Sequence, residues 1–309
     1  MNPPAVSVII PTFNRLRLLR EALDSVHAQT VRPHEVIVVD DGSQDDIGAG
    51  VADHPTKPIV IRQSRQGPGA ARNRGVREAT GDVIAFLDSD DIWLPTKLER
   101  YLAAMAARPD LDIFYGPMSP IDASGRPVMG RTKPCVEGRI TEALFFSSFV
   151  HVPTIVCRRS ILVASGGFDP TLPVCEDYEL WLRLSVERPF GLIDEPLALR
   201  RLHDDRLSKE RMDRNLLVKS RVLKDFYESG AGGNQLSPVV ARRRLAKVFH
   251  AAARAVLREG RYQQALQLCR QSRIYGCPRI RIAPIMLAAT AMSMLRTGKP
   301  ELVLTTAGQ

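Results

Sequence analysis

Three apolar runs in the N-terminal third follow one pattern. Residues 6–14 read VSVIIPTFN, residues 35–43 EVIVVDDGS and residues 83–91 VIAFLDSDD, each aliphatic or β-branched until it breaks into polar, turn-forming residues. Unbroken apolar character of this length predicts strands covered on both faces. Between them, Leu16, Leu19, Leu23 and Val26 recur at helical spacing within 16–28, and residues 70–79 and 97–107 give further crossover helices. Strands alternating with helices predict a parallel α/β sheet. Such open sheets bind ligands beyond the carboxyl ends of their strands. The polar clusters 11–14, 40–43 and 88–91 all fall at such ends, so the topology delivers them to one sheet edge.

The third cluster carries the strongest chemistry. Asp88, Asp90 and Asp91 would repel one another unless something positive lies among them. If the strand continues, its period of two places Asp88 and Asp90 on one side and Asp91 on the other. Paired carboxylates suit Mg²⁺ or Mn²⁺, which take oxygen ligands and are commonly shared with substrate phosphates. A solvated acidic turn capping the next helix is the plain alternative.

The motifs VSVIIPTFNR, EVIVVDDGSQD, GPGAARNRGV, GDVIAFLDSDDIWLP and GGFDPTLPVCEDYELWLRL, in this order, resemble the family 2 glycosyltransferases over residues 5–205, about two thirds of the chain. The resemblance implies the inverting GT-A fold, a Rossmann-like mixed sheet with flanking helices. It also implies sugar transfer from a nucleoside diphosphate to an acceptor hydroxyl with a divalent metal on the diphosphate. On this resemblance Asp90 is the metal ligand and Asp88 lies nearer the ribose beside Ser89. Asp41, with Asp40 as companion, suits a pyrimidine N3–H, while Pro11 and Thr12 match the loop touching the nucleoside. UDP- or dTDP-sugars are therefore favoured, and a guanosine donor stays open. His203 matches a late histidine that adds a third metal ligand in some such enzymes.

Gly67 to Gly75 resembles a phosphate loop yet has neither GxGxxG nor P-loop spacing, leaving Arg72 and Arg74 as charge partners for the diphosphate or nearby aspartates. Sequence alone does not decide which faces inward. Glu176 and Asp177 open an amphipathic helix, where the macrodipole by itself favours acids. Displacement at an anomeric carbon needs a general base for the acceptor proton, and the family pattern assigns it to Asp177 ahead of Glu176. Gly166 to Asp169 reads as a flexible closing loop, and Trp181 as core rather than a sugar platform.

Composition adds a division. Residues 211–309 carry 18 Lys and Arg against 5 Asp and Glu, whereas residues 1–210 carry 25 against 29. A linker-like stretch at 229–238 separates an expected catalytic domain, 1–228, from a basic helical region, 239–309. In that region Leu245, Val248, Phe249, Ala252 and Val256 share one helical face and Arg243, Lys247, Arg254 and Arg258 the opposite one. These helices suit peripheral contact with an anionic membrane, or a solvated face on a bundle or homodimer. No nucleic-acid-binding fold is recognisable. Five scattered cysteines and no signal-like leader favour a cytoplasmic setting, and the apolar stretch 283–295 is below the roughly 18 to 20 residues of a bilayer span.

The expected role is therefore glycosyl transfer to a glycan or lipid-linked acceptor, in bacterial cell-surface polysaccharide or glycolipid synthesis. A nucleotidyltransferase would need a triphosphate-gripping signature that is missing. A catalytically silent nucleotide-sugar-binding protein keeps the same motifs. Acceptor choice is expected from residues 115–155, which match little in the family.

Overall fold

The computed structural model describes residues 4–129, 134–202 and 212–297. By its internal contacts the chain divides into two compact units, residues 1–210 with 231–235, and residues 211–230 with 236–309.

The first unit is built on a seven-stranded sheet. Its strands are β1 (Val6–Thr12), β2 (Glu35–Asp40), β3 (Ile59–Arg62), β4 (Val83–Phe86), β6 (Ile113–Tyr115), β8 (Val156–Arg158) and β9 (Phe190–Leu192), in the order β3-β2-β1-β4-β8-β6-β9. The parallel expectation holds for β3 to β4, with Ile9 opposite Ile37 and Phe86. It fails at β8, which runs antiparallel to both β4 and β6, so the sheet is mixed. The short helix α6 (Arg159–Ala164) follows β8 directly. A smaller sheet joins β5 (Ile92–Trp93), β10 (Ala198–Arg201) and β7 (Met118–Ile121).

The crossover helices are α1 (Leu16–His27), α3 (Pro68–Glu78) and α4 (Lys97–Ala107). Leu19, Leu23 and Val26 of α1 are buried with Val8, Ile10 and Val38 in the main core. Helix α3 approaches the sheet closely because it presents glycine there: a Cβ on Gly75 would lie 2.5 Å from Cγ2 of Ile9. Helix α7 (Glu176–Glu187) buries Trp181 against Phe86 and Phe168, ring centroids 6.5 and 5.7 Å away, so Trp181 is core.

The second unit is helical: α8 (Met212–Glu228), α9 (Pro238–Arg258), α10 (Tyr262–Ile274) and α11 (Arg279–Thr297). Leu245, Val248, Phe249, Ala252 and Val256 of α9 are buried, and Arg243, Lys247, Arg254 and Arg258 are exposed. Helix α8 packs with α9 in this unit, while Gln235 of the intervening stretch bonds to the Val186 carbonyl and to Thr141 in the first unit. Among the described residues no helix is long and apolar enough to cross a membrane.

One core lysine has an energetic signature. Lys97 is fully buried, its amine has no hydrogen-bond partner, and it lies 3.8 Å from the Tyr101 ring centroid and 4.9 Å from that of Trp93. Burial pushes its pKa well below the ordinary lysine value. The unfolded chain therefore binds more protons than the folded one between that lowered value and 10.5, and stability rises with pH across this window. Lys97→Met should abolish that slope in urea unfolding followed across the alkaline range. At neutral pH it should raise stability by on the order of 1 kcal/mol, since an unpaired buried amine is removed and the ring contacts offset only part of its cost.

Candidate active site

The sheet edge gathers its polar groups through turns rather than extended strands. Strand β4 ends at Phe86, and residues 88–91 form a turn closed by the Asp91 N–H donating to the Asp88 carbonyl at 3.0 Å. Strand alternation therefore does not place the carboxylates, as the sequence reading supposed. The turn still separates Asp91 from its neighbours. Asp91 is buried and accepts the Arg201 N–H at 3.0 Å; burial, with the charges of Asp90 and Asp88, holds its carboxyl well above the usual range. The Arg201 side chain braces the same turn, donating to the Asp90 and Ala123 carbonyls and to Glu21.

Asp88 and Asp90 each meet an arginine. Arg72 on α3 donates to Asp88 at 2.7 Å and, through its other terminal nitrogen, to Glu176 at 2.7 Å. Arg15, just ahead of α1, donates to Asp90 at 2.7 Å. Arg72 is buried, faces the Phe168 ring at 5.4 Å, and has its Nε without a partner. Despite that burial, the carboxylates around it hold its guanidinium firmly protonated. Arg74 is not brought into this group. It bonds Glu78 of its own helix at 2.7 Å, one turn on, with 40 % of its side chain exposed.

Glu176 and Asp177 begin α7 directly after Cys175, whose φ of +63° places a non-glycine residue in the left-handed region. Such a conformation costs of order 1–3 kcal/mol and persists only where surrounding contacts enforce it. Here it turns the chain so that both acids reach the cluster. Gly69 makes room for Glu176: a Cβ there would lie 3.1 Å from Cγ of Glu176. Asp177 is half-buried and its Oδ1 accepts the Tyr178 N–H at 2.7 Å. Desolvation, then the charge of Glu176, raises its pKa to about 6, against the opposing pull of Arg72.

The second strand end is organised differently. Asp40 accepts the Ser43 N–H at 2.8 Å, the bond of a strand-to-helix turn. Asp41 accepts from Gln63 Nε2 and the Gln66 N–H at 2.8 Å and from the Gly67 N–H at 2.7 Å, which fixes the loop entering α3. Three donors leave this carboxylate about one of its four acceptor positions for anything else. Pro11, Thr12 and Ser89 are buried, and Thr12 Oγ1 has no partner.

Sequence reasoning missed Arg15, Gln63, Gln66 and Asn73. Asn73 donates to the Phe168 carbonyl at 2.7 Å and accepts the Phe168 N–H at 2.9 Å, which ties the glycine loop to α3. Gly167 is required for this clamp, because a Cβ there would lie 2.3 Å from Asn73 Oδ1. At Phe168 that loop is anchored rather than free to close. His203 lies outside the described residues.

The comparisons agree with this arrangement. The sequence model described as "Glycosyl transferase family 2" matches residues 7–162, half of the chain. A Rickettsia conorii protein named as an uncharacterized glycosyltransferase is 29 % identical over 237 residues, 74 % of this chain but only 39 % of that relative's length. Among solved structures, S. aureus TarS 1–349 in complex with UDP is similar with a TM-score of 0.64 at 19 % identity, covering 96 % of this chain and 92 % of that one. The mannosyltransferase PcManGT from Pyrobaculum calidifontis, with GDP-Man and Mn²⁺, gives 0.53 at 19 % identity, covering 95 % and 88 %. At such identities the likeness is one of fold, and the fold is GT-A.

Arg72→Gln should leave buried Glu176 without its counter-charge and cost roughly 3–5 kcal/mol in urea unfolding at neutral pH. Arg74→Gln should change stability by about 0.5 kcal/mol or less, as expected for an exposed pair within one helix.

Proposed function

The chain belongs to glycosyl transferase family 2, and on that premise we propose that it transfers a sugar from a nucleoside-diphosphate sugar to an acceptor hydroxyl with inversion at the anomeric carbon. The observation that carries this reading is Asp177, a carboxylate raised to about 6 beside the Arg72, Asp88 and Glu176 group. A base poised there is ionised at neutral pH yet basic enough to accept a proton as an alcohol attacks. Glu176 is held by Arg72, which leaves Asp177 for the proton.

In the proposed step the acceptor oxygen attacks the anomeric carbon and gives its proton to Asp177. The bond from that carbon to the diphosphate oxygen breaks on the opposite face, and the nucleoside diphosphate departs with the electron pair. Arg72 offsets the carboxylates lining this path. Thr12 Oγ1, buried and unpartnered, offers a polar contact for the nucleoside, with Pro11, Asp40 and the remaining acceptor position of Asp41 around it. PcManGT with Mn²⁺ and GDP-Man supports a divalent ion and a nucleotide sugar in such a fold, and TarS with UDP supports a uridine donor.

Asp88 and Asp90 are the oxygen donors suited to Mn²⁺ or Mg²⁺. Among the described residues no set of three or more His, Cys, Asp or Glu is arranged so as to hold a metal ion by itself, so a bound ion would also draw on oxygens of the diphosphate or of water. When bound, the ion would offset charge on the departing diphosphate. Arg15 pairs with Asp90, so a cation at that carboxylate competes with a guanidinium. The acceptor is a glycan or lipid-linked hydroxyl, and cell-surface polysaccharide or glycolipid assembly is the setting proposed.

The test is release of nucleoside diphosphate from UDP-sugars with Mn²⁺ and acceptor. Asp177→Asn should lower kcat by about 10²–10⁴-fold while donor affinity stays within a few-fold of wild type. Wild-type kcat should climb as pH passes about 6 and level off above it, because the base works ionised; a flat profile across that range would reject Asp177. Asp90→Ala, or chelation of the metal, should remove the Mn²⁺-dependent part of the thermal stabilisation given by UDP. Stabilisation by Mn²⁺ and UDP that survives Asp90→Ala would overturn the metal assignment.

A further inference from the structure

Helix α11 carries a face that the described residues of its own unit leave exposed. Ile282, Ile285 and Ala289 are buried toward the other helices. On the opposite side Ile280, Ala283, Pro284, Leu287, Ala291 and Met294 are all exposed, with Ile280 at 83 %, Leu287 at 72 % and Met294 at 41 %. Their spacing of three, four and seven places them on one stripe of a helix turning 100° per residue. No charged residue interrupts that stripe.

Charge borders it instead. Arg279 and Arg281, both exposed, flank Ile280 in sequence and fall about 100° to either side of it around the helix. At the end of α10 the exposed pair Arg273 and Ile274 repeats the mixture, and exposed Arg242 of α9 donates to the Ile274 carbonyl at 2.7 Å. Residues 260–300 hold seven Lys and Arg and no Asp or Glu. Along this stretch of chain the apolar stripe is accompanied by basic residues and by no acid.

We propose that this face of α11 lies in the interfacial plane of an anionic lipid bilayer, with the Ile280, Leu287 and Met294 side chains entering the acyl boundary and Arg279 and Arg281 at headgroup level. Charge complementarity selects this occupant. Two copies paired in parallel through the face would set arginine against arginine, whereas an anionic leaflet attracts each of these charges in any orientation. The helix is apolar on two opposed sides, one packed in its own unit and the other exposed, and it is not long and apolar enough to cross a bilayer, so its contact with a membrane would be at the surface. The proposal is independent of the transfer reaction.

The experiment is co-sedimentation of the full chain with phosphatidylglycerol–phosphatidylcholine vesicles and with phosphatidylcholine alone. Binding is expected to the first and not to the second, and to weaken as salt rises. Ile280→Glu with Leu287→Glu should reduce partitioning by on the order of tenfold or more, and Arg279→Gln and Arg281→Gln by about fivefold each. All four positions are exposed, so thermal unfolding should be unchanged and serves as the control for folding. In Leu287→Trp the added indole emission should shift to the blue on these vesicles and be quenched by brominated acyl chains, while buried Trp93 and Trp181 are unmoved. Absence of vesicle binding, or binding indifferent to the two glutamates, would overturn the proposal. So would a wild-type dimer in solution that Leu287→Glu converts to monomer without any vesicle binding, which would give the face to a second copy.

Discussion

The first unit depends on one buried guanidinium. Arg72 joins three pieces of chain that the sheet only brings near one another: its own helix, the acidic turn after β4 and the start of α7. Burying an ion pair costs more than its Coulomb attraction returns unless the geometry is good and each partner is satisfied. Two bonds of 2.7 Å and the Phe168 face meet that condition in part. The charge count does not close, however. Asp88, Glu176 and Asp177 act on one guanidinium, and the excess negative charge adds to desolvation in raising Asp177 to about 6. The group that holds the cluster together thus also sets the protonation of Asp177.

This cluster requires α3 to sit at a fixed depth. Asp41 determines where the helix begins by gathering the amides of Gln66 and Gly67, and Asn73 fixes its middle to Phe168. The helix is small-faced where it meets neighbours, with Gly69 under Glu176 and Gly75 against Ile9. The Gly-rich stretch that looks like a phosphate loop is therefore explained first by close packing of α3, which brings Arg72 within reach of two carboxylates.

Much of this was legible in the chain. The apolar runs located β1, β2 and β4, and helical spacing located α1 and α4 with little error. Arg72 and Arg74 lie about 200° apart on a helix, so only one can face the core. The deciding signal was present: Arg72 shares its side with Gly69 and Val76, and Arg74 stands one turn before Glu78. The Arg15–Asp90 pair was beyond sequence reading, because nothing local relates residues 75 positions apart. The antiparallel β8 lay outside the apolar pattern for a similar reason, since strand direction is set by a chain reversal and not by composition; the mixed sheet was implied by the family resemblance alone.

Perturbed protonation alone would not have singled out the site. Asp91 is also held high, and Lys97 is held low, yet both are buried. Asp91 is turned inward onto the Arg201 amide, and Lys97 is enclosed by Tyr101 and Trp93. The departure of Lys97 follows from burial alone, and that of Asp91 from burial first and then from the charges of Asp90 and Asp88. Asp177 differs in combining a raised pKa with partial exposure and with like charges held beside it by Arg72. An ionisable group can exchange its proton with a ligand only where it is reachable, and of these three residues Asp177 alone is not fully enclosed.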